Sequence, residues 1–148
     1  MGNKVGNKVA SAIDADTLRA YRETQYRVLG DTPMTLRIDQ RSAALAALHR
    51  ALGVDCSAFI TAANPFSQRC DDAANARRQQ ALAEDLNALG RRAIEAAGEH
   101  PDNGWPAEPS FLVPGLSLAE ARALGETYQQ NAVVWSGADA VPRLVLLR

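Results

Sequence analysis

The spacing of apolar and polar positions changes several times along the chain, and each change marks an element. Residues 24–29 (TQYRVL) and 34–38 (MTLRI) have strand character, with Gly30, Asp31, Thr32 and Pro33 as turn chemistry between them, so an N-terminal β-hairpin is predicted. A short helix capped by Asp16 or Thr17 and running to Tyr21 precedes it. From Ser42 the period becomes helical: Leu45, Leu48 and Leu52 share one face, and Gly53 ends the run. Residues 57–61 (SAFIT) are short and mostly apolar, as a strand interior to a sheet would be. Because strand, helix and strand follow one another, a right-handed parallel crossover is expected here.

Residues 63–70 (ANPFSQRC) read as a polar loop. Asp71 or Asp72 then opens the longest helix, with Leu82, Leu86 and Leu89 as its apolar stripe and Gly90 as its stop. Residues 91–97 (RRAIEAA) suit either a strand or a continuation of that helix; the need to return toward the sheet selects the strand. The stretch 98–109 is dense in Gly, Pro, Asp and Asn and reads as a loop leading to a short strand at 110–113, which Pro114 and Gly115 end. Ser117, with Glu120 three residues on, is a capping-box pattern ahead of a helix (LAEARALGETY). The apolar runs 132–135 and 143–147 flank SGADAVP and form a C-terminal β-hairpin. The fold class is α/β (α+β): a single mixed β-sheet packed by about three main helices, with N-terminal and C-terminal β-hairpins, over residues 13–148. Residues 1–12, which contain GNKV twice, read as a disordered leader.

Composition narrows the function classes. With 148 residues, 47% hydrophobic and 22% charged, the chain can bury one core without disulfides. A formal net charge of -1 disfavours a nucleic-acid role, and Arg77, Arg78, Arg91 and Arg92 read as solvated helix-face charges. Cys56 and Cys70 are too few and too irregularly spaced for a disulfide framework or zinc site, so they are expected as reduced thiols in a cytoplasmic protein. His49 and His100 are the only histidines, and no metal site or cofactor is expected. No secretory signal or membrane span is visible, and GxSxG, HExxH, P-loop and GxGxxG patterns do not occur.

Four segments carry a family likeness: AYRETQYRV at 20–28, AFITAANPFS at 58–67 with Asn75 following, WPAEPSFLVPG at 105–115, and QNAVVW at 130–135. In this order they resemble a bacterial domain family of unknown function, DUF3293. The resemblance implies a bacterial protein and carries no catalytic residue with it.

The candidate ligand-binding residues are Asn64, Asn75, Glu108, Ser110, Gln130 and Asn131, with Thr61 and Ser67 beside them, all near strand ends where open α/β sheets bind ligands. Pro65 fixes the chain at Asn64, and Pro106 and Pro109 stiffen the mount of Glu108, which suits a general base or a hydrogen-bond acceptor. Glu108 is expected to share a pocket with Asn64 and Asn75. Trp105 and Trp135 are expected in the core. The first functional reading is a small accessory or regulatory binding module without chemistry of its own, contacting a protein or small-molecule ligand. The alternative is a hydrolase or transferase with Glu108 as acid or base and Asn64, Asn75 and Asn131 orienting substrate.

Overall fold

The structure, a computed structural model, describes residues 12–148. All but the last residue of the expected leader lies outside that range. Among the described residues, seven strands, four α-helices and one 3-10 turn follow in the order α1 (Ala15–Glu23), β1 (Gln25–Val28), β2 (Met34–Leu36), α2 (Ala43–Leu52), β3 (Ser57–Ile60), the turn Pro65–Ser67, α3 (Asp72–Ala88), β4 (Ile94–Glu99), β5 (Glu108–Pro114), α4 (Leu118–Thr127), β6 (Ala132–Ser136) and β7 (Pro142–Leu146).

Local chemistry sets the helix ends. Asp14, Ser42, Asp71 and Ser117 each accept a backbone N–H three residues on, so the first helix is capped two residues earlier than Asp16. Gly53 ends α2 with φ 67, a left-handed geometry that glycine adopts without a side-chain clash. Ser117 and Glu120 complete the capping box. Residues 91–97 are strand from Ile94, and β5 begins at Glu108 rather than Ser110.

One sheet forms in the order β2-β1-β4-β5-β3-β6-β7. The α/β class, the single sheet and both hairpins stand, and each hairpin occupies one edge. Every pairing is antiparallel, so the sheet is not mixed in strand direction. Strands β2 and β3 do point the same way, as the α2 crossover requires, but β1, β4 and β5 lie between them. The segment β3-α3-β4-β5-α4-β6 is a split βαβ arrangement: α3 crosses over β5, α4 crosses over β3, and the skipped strand fills each gap.

Strand alternation sends apolar side chains to both faces. Tyr26, Val28, Phe59, Ala96, Leu112 and Val134 form one core with Leu45 and Leu48 of α2. Ala58, Ile60, Phe111, Val113 and Val133 form the other with Leu82 and Leu86 of α3 and Ala121 and Leu124 of α4. The expected apolar helix faces thus pack on the one sheet, but on opposite sides of it. Trp135 donates its indole N–H to Leu116 O at 3.0 Å beside the second core, whereas Trp105 is 43% exposed and is not a core residue.

Candidate functional site

The first sheet face carries a row of positions across three strands. Register places Tyr26 opposite Gly98 and Gly98 opposite Glu108, with Ser110 opposite Ala96. Directly opposed residues share a face, so the missing side chain at Gly98 opens a gap between the Tyr26 ring and the Glu108 carboxyl. The floor of a cavity of about 380 Å³ lies there, extended by Ser110 and Ala132. Its roof is α1, through Asp16, Thr17, Ala20 and Tyr21, and Trp105 and Pro106 stand at its side. This places the site on the sheet face rather than in a crevice beyond parallel strand ends.

Glu108 sits at the inner wall. Its Oε2 accepts from Asn64 Nδ2 at 2.8 Å, and among the described residues the other oxygen has no protein hydrogen-bond partner. The residue as a whole is half-buried, yet its carboxyl is enclosed. Burial pushes this carboxyl up to about 7 from an ordinary 4.5, against the smaller downward pull of the Asn64 amide.

Asn64 and Asn75 form a reciprocal pair. Asn64 N–H donates to Asn75 Oδ1 and Asn75 Nδ2 donates to Asn64 Oδ1, both at 2.9 Å, and Cys70 N–H donates to the same Asn64 oxygen at 2.9 Å. This pairing holds Asn64 at φ 49 directly before Pro65, with Phe66 at φ 53 and Ser67 at φ 59. Three consecutive non-proline, non-glycine positions around one proline in left-handed geometry are costly, and such strain persists only where surrounding bonds over-determine it. Those bonds come from α3 as well: Gln79 Oε1 accepts from Ala62 N–H at 2.6 Å, and Arg78 Nε donates to Ala62 O at 2.6 Å. Thr61 Oγ1 donates to Pro109 O at 2.7 Å, tying the loop to β5.

The structure links Asn64, Asn75 and Glu108 in one hydrogen-bond chain but not in one pocket: Glu108 lines the cavity under α1, whereas Asn64 and Asn75 line a second cavity of about 230 Å³ on the other side of Trp105 and Pro106. Ser110 donates to Glu108 O at 3.1 Å on the cavity floor. Gln130 reaches the cavity wall while donating to Ala63 O at 3.0 Å. Asn131 is apart from Glu108: its amide donates to Tyr21 Oη at 3.0 Å and Ser67 Oγ at 3.1 Å, and its oxygen accepts from Arg148 at 2.9 Å. The amides of Asn64, Asn75 and Asn131 are thus occupied in holding the 61–70 loop.

Sequence reasoning missed Tyr21, Tyr26 and His100. Tyr21 Oη bonds Ser67 Oγ, and Tyr26 Oη donates to Tyr21 O at 2.5 Å. Burial raises Tyr21 above the ordinary phenol range, so its hydroxyl keeps its proton. His100 Nε2 contacts Glu23 Oε1 at 2.9 Å, while its Nδ1 accepts from Asp102 N and Asn103 N at 3.0 Å. Partners 46 positions apart, as Tyr21 and Ser67 are, leave no local pattern to read. Arg78 and Arg91 are likewise not free helix-face charges, since Arg91 pairs with Glu120 at 3.0 Å. His49 Nε2 and Ser57 Oγ lie 2.5 Å apart, but both are buried in the packed core away from the cavity.

Among the described residues no group of three or more His, Cys, Asp or Glu could hold a metal ion, and no helix is long and apolar enough to cross a membrane. A split βαβ sheet with a cavity hollowed in one face, walled by a buried carboxyl, defines a small α/β domain with a sheet-face pocket. The chain belongs to the family described as protein of unknown function (DUF3293), whose model matches residues 60–133. That span covers the strained loop, α3, Glu108 and Gln130, and excludes α1. Neither the curated proteins nor the solved structures gave a match.

Proposed function

We propose that the chain is a small binding module whose ligand is an organic molecule held in the cavity between α1 and the sheet. The observation that carries this is the Glu108 carboxyl at the wall of a cavity of about 380 Å³, with one oxygen that no described residue engages. That volume is within the range of ligand pockets, about 300 to 1,000 Å³, and the walls combine apolar side chains with a few convergent polar groups. The bacterial origin implied by the family resemblance, and the cytoplasmic setting that the free thiols of Cys56 and Cys70 suit, belong to the same proposal.

One observation favours the enzyme reading as a second possibility: a carboxyl titrating at about 7 is suited to proton transfer at neutral pH. Against it, Asn64, Asn75 and Asn131 are engaged by the protein and are not free to orient a substrate. The test is a thermal-shift screen of a metabolite collection on wild type and Gly98→Leu. A Cβ at Gly98 meets only Thr24 Cγ2, at 3.7 Å, so a leucine there is expected to project into the gap between Tyr26 and Glu108 and take up part of the cavity. A ligand at about 100 times its Kd adds about 2.7 kcal/mol, and is expected to raise the Tm of wild type but not of Gly98→Leu. Equal shifts in both proteins would overturn the cavity as the binding site. Mass spectrometry of the bound compound separates the readings, since turnover would favour the enzyme.

A further inference from the structure

The charges around the cavity are one-sided. Among the described residues, Asp16 and Glu108 line it and no lysine or arginine does. The imidazole of His100 lies on the lining too, but its Nε2 is 2.9 Å from Glu23 Oε1 of α1, so it faces a different carboxylate. Four aromatic rings, those of Tyr21, Tyr26, Phe59 and Trp105, also face the space. Among the described residues, the free oxygen of Glu108 is a carboxylate acceptor facing the cavity, and none of them supplies a cation to it. A buried carboxylate without a cation is strongly disfavoured, and a ligand bearing positive charge would supply the missing partner. Aromatic faces around an acidic group are also the surroundings in which organic cations are recognised. An anionic ligand would meet Glu108 with nothing to balance it.

We infer that the ligand is an organic cation, an amine or ammonium compound with a compact apolar body, whose charged head meets Glu108 while its body lies against the rings of the cavity. This rests on the proposal that the cavity binds a small molecule and adds the ligand's class. The groups that titrate around Glu108 are Asp16, Tyr21, Tyr26 and His100 in its own cavity, with Arg69, Cys70 and Asp72 in a second cavity that shares Trp105 and Pro106 with the first. Of these, Glu108 is the group with a carboxyl moved up to about 7, so the pH profile of cation binding should follow it.

The experiment is calorimetric titration of wild type and Glu108→Gln with phenethylamine, 2-phenylethanol and phenylacetate, which share one apolar body. Phenethylamine should bind about tenfold more tightly at pH 8 than at pH 6, following the ionised fraction of a carboxyl titrating near 7. The alcohol should bind at least about tenfold more weakly than the amine at pH 8, and phenylacetate should give no measurable heat. Glu108→Gln should lose the amine preference and the pH dependence while still binding the alcohol. Should that variant fail to fold, the wild-type pH profile and the ranking of the three probes still decide. Amine binding independent of pH, or no tighter than that of the alcohol or the acid, overturns the inference and leaves the cavity proposal standing. Absence of binding by all three probes at millimolar concentration also overturns it, whereas the cavity proposal fails only on the Gly98→Leu comparison.

Discussion

At the scale of single residues, Glu108 is held by one neutral amide where an ordinary structural carboxylate would have a cation or several N–H donors. The consequence for stability can be worked out. The folded-state carboxyl titrates at about 7 and the ordinary value is 4.5, so between these pH values the folded protein holds a proton that the unfolded chain releases. This contribution to stability is fully present below about pH 4.5 and is lost as the pH rises through about 7. Glutamine keeps the acceptor for Asn64 and removes the charge. Glu108→Gln should therefore match wild type at pH 5 within about 1 kcal/mol and exceed it at pH 8 by on the order of 1 to 3 kcal/mol in urea unfolding. A variant weaker than wild type at pH 8 would mean that the carboxylate is an anchor after all. The residues of this site were partly legible in the chain, because Asn-Pro and Pro-flanked Glu are local signals of fixed backbone. What no local signal conveys is that the Asn64 and Asn75 amides serve each other beside a second cavity, leaving Glu108 as the member of the chain that faces the cavity under α1.

At the scale of elements, caps and periodicity located the helices, while strand extents and neighbours depended on partners far along the chain. Ser42 with Gly53, and Ser117 with Glu120, are short-range devices, so α2 and α4 could be read directly. By contrast, β4 runs through Gly98, a residue that local chemistry assigns to a loop, because pairing with β1 and β5 on either side holds it extended. The α4 helix contains a further glycine with a different reason. A Cβ at Gly125 would stand 2.5 Å from Leu147 Cδ1 and 2.9 Å from Val133 Cγ1, so a methyl group there requires those side chains or the helix to shift. Helix propensity alone would have Gly125→Ala stabilise by about 1 kcal/mol. Overpacking of about 1 to 3 kcal/mol opposes it, and the variant should be destabilised, with a lower denaturant midpoint and an unchanged slope. A rise in the midpoint would show that α4 can shift outward at little cost.

At the scale of the whole molecule, the two sheet faces are covered unequally. Helices α3 and α4 seal one face with Leu82, Leu86 and Ala121, each 0 or 1% exposed. The other face has α2 over part of it and α1 over the cavity, and α1 contributes no buried residue. Its attachment to the body is mostly polar, Tyr21 to Ser67 and to Asn131, the Tyr26 hydroxyl on Tyr21 O, and Glu23 to His100, with the buried Ile13 ahead of its cap. An element that buries little apolar surface opens locally at far less cost than the fold as a whole. The roof of the cavity is therefore expected to open at lower cost than the sheet beneath it, and a ligand would enter by that opening. Native-state hydrogen exchange should read this directly. Amides of β3, whose four residues are all buried in the sheet interior, should exchange only through global unfolding, and those of α1 at least about 100-fold faster. Ligand held in the cavity should slow α1 preferentially, since it bridges the helix to the sheet, with a smaller uniform effect elsewhere. Exchange in α1 as slow as in β3 would mean that the polar contacts around Tyr21 lock the roof shut, and that the entrance lies at the Trp105 and Pro106 side instead.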